Sequence, residues 1–146
     1  MSGQGGELWF IFCVVMCLLV ALMLICLVKN VRAEEPAIWK VLLAEAADQG
    51  PIGLYAVACV IRNRGGDLDG FCGAKRRDLD SFCARQGGSY ISIAKDIERK
   101  VFEEEGPDTT GGATHFESDR FPVPYWAASM QKTVKIGRHT FYKETR

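Results

Sequence analysis

The sequence predicts a small, helix-dominated α+β domain behind one N-terminal transmembrane helix. Three observations support this fold class: an apolar run near the N-terminus, three segments with helical apolar spacing, and an alternating segment near the C-terminus. The chain has 146 residues, 48% of them hydrophobic, so it suits one folded domain and is too apolar for a disordered chain. Its 18 basic residues balance its 18 acidic ones, so there is no excess of positive charge with which to bind nucleic acid.

The N-terminal apolar run extends without a charged residue from Leu8 to Val28. At about 1.5 Å per residue, a helix of this length spans about 31 Å, close to the hydrocarbon thickness of a bilayer. The run is longer than a signal-peptide core and only Glu7 is charged before it, so we expect it to anchor the chain in a lipid bilayer. A signal cleaved near Ala33 is the alternative. The predicted domains are therefore 1–33, the anchor (or signal) with its flank, and 34–146, the soluble domain.

Glycine and proline residues divide the soluble part into short elements. Pro36 suits the first turn of a helix, and Gly50-Pro51 ends that helix. The predicted helices are Ala37–Asp48, Ile52–Asn63 and Ser89–Glu104. The remaining predicted elements are an irregular loop at 65–89 with a helical turn at Leu79–Cys83, and a C-terminal β-hairpin at 132–143 around Gly137-Arg138.

The cysteines divide between the two parts of the chain. Three lie in the apolar run, and Cys59, Cys72 and Cys83 lie in the soluble part. No CxxC motif is present, so neither a zinc ribbon nor a thioredoxin-type site is predicted. Cys72 and Cys83 could form a disulfide outside the cytosol, and free thiols are the alternative.

Glu45 interrupts the apolar stripe of the first predicted helix. It lies three residues after Leu42 and four after Val41, between two alanines. A carboxyl on an apolar face is desolvated, which raises its pKa and lets it act as a general acid near neutral pH. Glu45 is therefore the candidate catalytic residue, and a glutamate at the edge of the stripe that reaches water is the alternative.

Aromatic residues crowd the last third of the chain, interleaved with Gly, Pro, His and Thr. This composition fits either a cleft in which rings stack on sugar faces or a small aromatic core. The aromatic residues in question are Phe116, Phe121, Tyr125, Trp126, Phe141 and Tyr142. His115 and His139 are the two histidines and no HExxH motif is present, so no metal site is predicted.

Three stretches together resemble the cell-wall hydrolase family of the spore-cortex-lytic (SleB-like) type. VLLAEAADQGPIGLYAVACVIRNR resembles the opening of the family, and LDSFC loosely resembles its short QFS stretch. GGATHFESDRFPVPYWAASMQKTVKIGRHTFY resembles its closing motifs. The resemblance spans about Leu42 to Tyr142, which is nearly the whole soluble part.

The resemblance implies a lysozyme-like fold and an enzyme, a lytic transglycosylase or muramidase, that cuts the glycan strands of peptidoglycan without a cofactor. It assigns the acid to Glu45. The candidates that it suggests for substrate binding are Thr114, His115, Tyr125, Trp126, His139 and Tyr142. A hydrolase would use water and typically a second carboxylate. The sequence shows none in a persuasive setting, since Asp48 falls at a predicted helix end, and this favours the transglycosylase route.

The chain departs from the family pattern at two places. Where the family continues its GATHYH motif with a second histidine, this chain has Glu117, so any role of that histidine is lost or passes to Glu117. In place of QFS the chain reads Asp80-Ser81-Phe82-Cys83, which lacks the glutamine. The altered THFE motif raises the alternative of a non-catalytic, membrane-tethered protein that binds peptidoglycan or takes part in its assembly.

Peptidoglycan lies outside the inner membrane, so we expect a single-pass inner-membrane protein whose domain faces the periplasm or cell wall. Lys29 and Arg32 follow the apolar run and no basic residue precedes it, which by the positive-inside rule favours the opposite orientation. We base the expected orientation on the location of the substrate rather than on these two charges. A wall-remodelling enzyme and a phage lysis or entry factor, in the virion or host membrane, both fit a single domain of this size.

Overall fold

The structure, a computed structural model, describes residues 14–20, 23 and 36–145. The chain divides into two compact units, Met1–Glu35 and Pro36–Arg146. In the first unit residues 14–20 are helical. Most of the predicted anchor from Leu8 to Val28, and the alternative cleavage site near Ala33, lie outside the described residues. Within the described part, no helix is both long and apolar enough to span a membrane.

The described part of the second unit contains four α-helices. They are α1 (Ile38–Ala46), α2 (Gly50–Asn63), α3 (Leu79–Gln86) and α4 (Gly88–Phe102). The three predicted helices are confirmed as α1, α2 and α4. The turn predicted at Leu79–Cys83 is the first part of a full helix, which continues to Gln86. Gly87, with a φ of 87°, then separates α3 from α4.

The first helix ends earlier than the sequence predicts. A 3-10 turn, Ala47–Gln49, follows α1 and leads directly into α2. Gly50 adopts a positive φ of 66° at this junction, and Pro51 lies in the first turn of α2, where its missing N–H breaks no helical hydrogen bond. The short connection keeps the end of α1 close to the start of α2.

The core of the second unit is built around α2, which is buried along most of its length. Leu54 and every residue from Ala56 to Ile61 have no exposed surface. Helices α1 and α4 both pack on α2. They contribute Leu42 and Val101, which are also fully buried. Removal of this apolar surface from water is the main stabilising contribution to the helical part.

A three-stranded antiparallel sheet forms the C-terminal third. Its strands are β1 (His115–Ser118), β2 (Met130–Ile136) and β3 (His139–Glu144), in the order β1-β3-β2. The predicted hairpin is confirmed as β2 and β3, with Gly137 at a φ of 57° in the turn. The sequence does not predict β1, because four residues are too few to show a strand period. Central strand β3 places Phe141, fully buried, in the helical core.

Cys72 and Cys83 are both free thiols, so the structure contradicts the disulfide considered for this pair. Cys83 is buried on the inner side of α3, where its Sγ lies 3.7 Å from the carbonyl oxygen of Lys40. Cys72 is exposed. One side chain is therefore part of the core and the other faces solvent.

Candidate active site

Glu45 lies half-buried in the last turn of α1. Its Oε1 accepts a hydrogen bond of 2.5 Å from the backbone N–H of Gly73. Burial raises the pKa of Glu45, and the hydrogen bond from Gly73 offsets part of that rise. A carboxyl whose pKa is raised keeps its proton at higher pH, as a general acid must.

Gly73 permits this contact because it has no side chain. A Cβ at this position would lie 2.7 Å from the Cβ of Ala44 and 3.0 Å from Oε1 of Glu45. Both distances are shorter than ordinary van der Waals contact. The small residues at positions 44 and 73 therefore let the segment before α3 approach α1 closely enough to hold the Glu45 carboxyl.

A cleft of about 720 Å³ opens beside Glu45. One wall is formed by the end of α1 and the inner side of α2, and includes Asp48 and Arg64. Residues 69–72 form part of a second wall, before α3. The third wall is formed by the sheet and the loop after β1. The volume lies within the range of small-molecule and oligosaccharide sites.

Strand β1 is an edge strand, paired only with β3, and all four of its residues line the cleft. Its side chains alternate between the two faces of the sheet. The ring of Phe116 faces the helices and packs on Phe71 and Phe141, with centroids 5.9 and 5.8 Å away. His115 and Glu117 lie on the opposite face, and the free edge of β1 therefore brings both faces of the sheet to the cleft.

Four of the predicted binding residues line the cleft together with Glu45. Thr114 and His115 are joined, because Oγ1 of Thr114 lies 3.0 Å from Nδ1 of His115. The ring of Trp126 packs on His115 with centroids 5.3 Å apart. His139 lies on the helix-facing side, where its ring packs on Phe116.

The other two predicted binding residues lie elsewhere. Tyr142 is buried behind the cleft wall, with its ring edge-on to Trp126 at 5.5 Å. Its hydroxyl donates a hydrogen bond of 2.8 Å to Oε1 of Glu117. The structure does not bring Tyr125 into the cleft, because its side chain is 93% exposed and is not among the lining residues.

Both cleft histidines have a lowered pKa. Burial is the main cause for each, and the positive charge of Arg64 adds to the effect at His115. A neutral imidazole offers one donor and one acceptor nitrogen. His139 is 4% exposed, and its Nδ1 has no hydrogen-bond partner in the described part of the chain. This nitrogen is therefore a buried polar atom without a partner among the described residues, on a ring that lines the cleft.

Two contacts join the helical wall to the sheet wall. The carboxylate of Asp48 forms an ion pair of 2.7 Å with Arg120, in the loop after β1. The side-chain oxygen of Gln49 accepts a hydrogen bond of 2.8 Å from the backbone N–H of Arg138 in the hairpin turn. Both contacts start from the 3-10 turn that follows Glu45, so the turn fixes the position of the sheet relative to α1.

The profile of one family, described as cell wall hydrolase, matches residues 48–142. The chain belongs to the cell wall hydrolase family. The match confirms the resemblance seen in the sequence. It includes all six predicted binding residues and begins at Asp48, one helical turn after Glu45.

Two solved structures from Bacillus are similar to this chain. The catalytic domain of the Bacillus cereus SleB protein shares 21% identity over 73% of this chain and 86% of that chain, with a TM-score of 0.49. The catalytic domain of the germination-specific lytic transglycosylase SleB from Bacillus anthracis shares 21% identity over 73% of this chain and 90% of that chain, with a TM-score of 0.48. No curated protein sequence matches the chain.

The cleft also includes Glu117, which occupies the position of the family's second histidine and is not among the six predicted binding residues. Its Oε2 is buried and has no hydrogen-bond partner among the residues that the structure describes. The available signal was its position, two residues after His115 and therefore on the same face of a strand. This spacing indicates a shared face only if the segment is known to be a strand, and the sequence did not predict β1.

The described residues contain no group of three or more His, Cys, Asp or Glu side chains placed to hold a metal ion. The groups that the cleft does offer are carboxyls, neutral imidazoles, a threonine hydroxyl and aromatic rings. Such groups can transfer protons and bind polar, ring-shaped substrates.

Proposed function

We propose that the domain cleaves the glycan strands of peptidoglycan as a lytic transglycosylase, with Glu45 as its general acid. Membership of the cell wall hydrolase family supports a cell-wall polymer as the substrate. The observation that carries the proposal is the half-buried carboxyl of Glu45, with its raised pKa, on the wall of the cleft. General acids of glycan-cleaving enzymes have this setting.

The proposed reaction starts with protonated Glu45. It donates its proton to the glycosidic oxygen between N-acetylmuramic acid and N-acetylglucosamine, and the bond from C1 of muramic acid to that oxygen breaks with its electron pair on the leaving oxygen. The 6-hydroxyl of the same muramic acid then attacks C1. Glu45, now a carboxylate, takes the hydroxyl proton, which gives a 1,6-anhydro product and restores the acid.

The cleft residues supply binding groups for this substrate. The hydroxyl of Thr114 and the neutral imidazoles of His115 and His139 can donate and accept hydrogen bonds with acetamido and hydroxyl groups. The ring of Trp126 offers a face for a pyranose ring. We also propose that the arrangement is lysozyme-like, because an acid at the end of a helix faces a small sheet across a cleft.

We propose that the run from Leu8 to Val28 anchors the domain to the inner membrane, with the domain on the side of the cell wall. The length of the apolar run supports the anchor. The location of peptidoglycan supports the orientation. A tether of this kind would hold the domain at the membrane-proximal surface of its substrate.

The test is digestion of purified peptidoglycan by the full-length protein and by Glu45→Gln, with mass spectrometry of the products. Glu98→Gln is a matched control, because burial also raises the pKa of Glu98 and this residue does not line the cleft. We expect 1,6-anhydro products from the parent and from Glu98→Gln. In Glu45→Gln the rate should fall by about 100-fold or more, the contribution of a general acid.

Two other outcomes are informative. Reducing-end products would show hydrolysis and would replace the transglycosylase mechanism by that of a muramidase. No cleavage by a folded parent would contradict catalysis and favour a non-catalytic peptidoglycan-binding protein, the role suggested by the altered THFE motif.

A further inference from the structure

Glu117 is a cleft carboxyl that is only partly satisfied. Its Oε1 accepts one hydrogen bond, from the neutral hydroxyl of Tyr142. Its Oε2 is buried and has no partner in residues 14–20, 23 and 36–145. A carboxylate oxygen that is removed from water without a donor is costly, and Glu117 lines the cleft, so a donor that reaches this carboxylate from the cleft would offset that cost.

The other acidic side chains of the cleft each have a cationic or backbone N–H partner. Asp48 pairs with Arg120, and Asp69 lies 3.4 Å from Nζ of Lys75. Glu45 accepts a backbone N–H and has a raised pKa. Among the described residues, no Lys or Arg forms an ion pair with Glu117. Its negative charge is therefore not balanced by the cleft itself.

Glu117 is also held in place. It lies on strand β1 opposite Thr140 of β3, and Tyr142 on the same face donates to it. Tyr142 is 7% exposed and packs edge-on against Trp126, so the donor itself is fixed. A fixed acceptor selects a donor at a defined position, which is the property of a specificity-determining residue.

We propose that Glu117 accepts a hydrogen bond from the nitrogen on C2 of a substrate amino sugar, and that this contact lets the cleft accept strands in which that nitrogen is a free ammonium. This inference rests on the proposed function, because it assumes a peptidoglycan strand in the cleft. Such a strand offers hydroxyls and amide N–H groups, and ammonium groups wherever the acetyl has been removed. The ammonium complements an unbalanced carboxylate in charge, and charge-assisted hydrogen bonds are about twice as strong as neutral ones.

The experiment compares two preparations of one peptidoglycan, N-acetylated and chemically de-N-acetylated, as substrates of the full-length protein and of Glu117→Gln. Glutamine keeps the shape and an acceptor for Tyr142 but removes the charge. We expect the parent to cleave both substrates. In Glu117→Gln, kcat/KM should fall about fivefold more on the de-N-acetylated substrate than on the N-acetylated one, mainly through KM.

Glu103→Gln is the matched control, because it also removes a carboxylate charge, and Glu103 is exposed and does not line the cleft. The ratio of the two kcat/KM values should stay within about twofold of the parent ratio. An equal loss on both substrates in Glu117→Gln, or no loss on either, would overturn the inference, as would a parent that cleaves N-acetylated strands alone. A folded parent that cleaves neither would overturn the proposed function as well.

Discussion

The backbone N–H of Gly73 lies 2.5 Å from Oε1 of Glu45, a residue 28 positions earlier in the chain. The contact favours the ionised carboxyl, whereas burial favours the protonated one, and burial is the larger effect. Glu45 also lies at the C-terminal end of α1, where the helix dipole disfavours a negative charge. The hydrogen bond therefore fixes the carboxyl in position, while burial raises its pKa.

Gly73→Ala should disrupt this contact. The added Cβ would meet Ala44 at 2.7 Å and Oε1 of Glu45 at 3.0 Å, so the segment must move away from α1. We expect the cleavage rate to fall about tenfold or more and the free energy of unfolding to fall by about 1–3 kcal/mol, as for other overpacked sites. Enzyme assays and denaturant titration would measure both quantities.

Gly88→Ala is the control for this substitution. A Cβ at Gly88, at the start of α4, would meet nothing within 4 Å, and α4 is helical from this residue onward. Both activity and stability should remain close to those of the parent. Full activity in Gly73→Ala would contradict the positioning role of the Gly73 contact.

The raised pKa of Glu45 predicts a pH-dependent stability. The folded state binds the proton more tightly than the unfolded state, so the contribution of this group to stability is full below the ordinary pKa of 4.5 and is lost as the pH rises through the folded pKa. Glu45→Gln has no proton to lose. We expect its stability relative to the parent to increase from acidic to neutral pH in denaturant titrations, and a difference that is independent of pH would argue against a raised pKa.

Phe121 and Tyr125 are exposed aromatic residues on the loop between β1 and β2, 72% and 93% exposed, but only Phe121 lines the cleft. A ring on the cleft wall can stack on a sugar, with a gain of about 1 kcal/mol. Phe121→Ala should therefore weaken binding of a soluble glycan fragment by about fivefold in calorimetry. Tyr125→Ala should leave the affinity within about twofold. Equal losses in the two variants would show that the loop binds glycan outside the cleft.

Local patterns predicted much of this fold. Helices α1, α2 and α4 have apolar residues at helical spacing and end near glycine or proline, and both signals lie within one segment. Strand β1 escaped prediction because its structure depends on pairing with β3, a contact that a four-residue pattern does not encode. The end of α3 was missed because the sequence gives a weak apolar stripe there.

The candidate site was also predictable only in part. The position of Glu45 on an apolar stripe correctly indicated burial, and its catalytic role stays a prediction. Its bond to Gly73 was not predictable, because a backbone N–H leaves no signature in the sequence. The setting of Glu117 was not predictable, because it depends on the strand register that places Tyr142 beside it. Tyr125 was predicted to bind substrate but lies outside the cleft, because composition alone does not say which of several aromatic rings faces a cleft.

The hydrogen bond between Gln49 and Arg138 joins residues 89 positions apart, so the cleft is complete only after the hairpin docks on the helices. The contacts among the helices span shorter stretches of chain, so they can form before the hairpin docks. A local opening that releases Phe141 and the sheet would dismantle the cleft while most of the helical core stays folded. Cleavage activity would then report the docking of the sheet, and amide hydrogen exchange in β3 would track it more closely than exchange in α2.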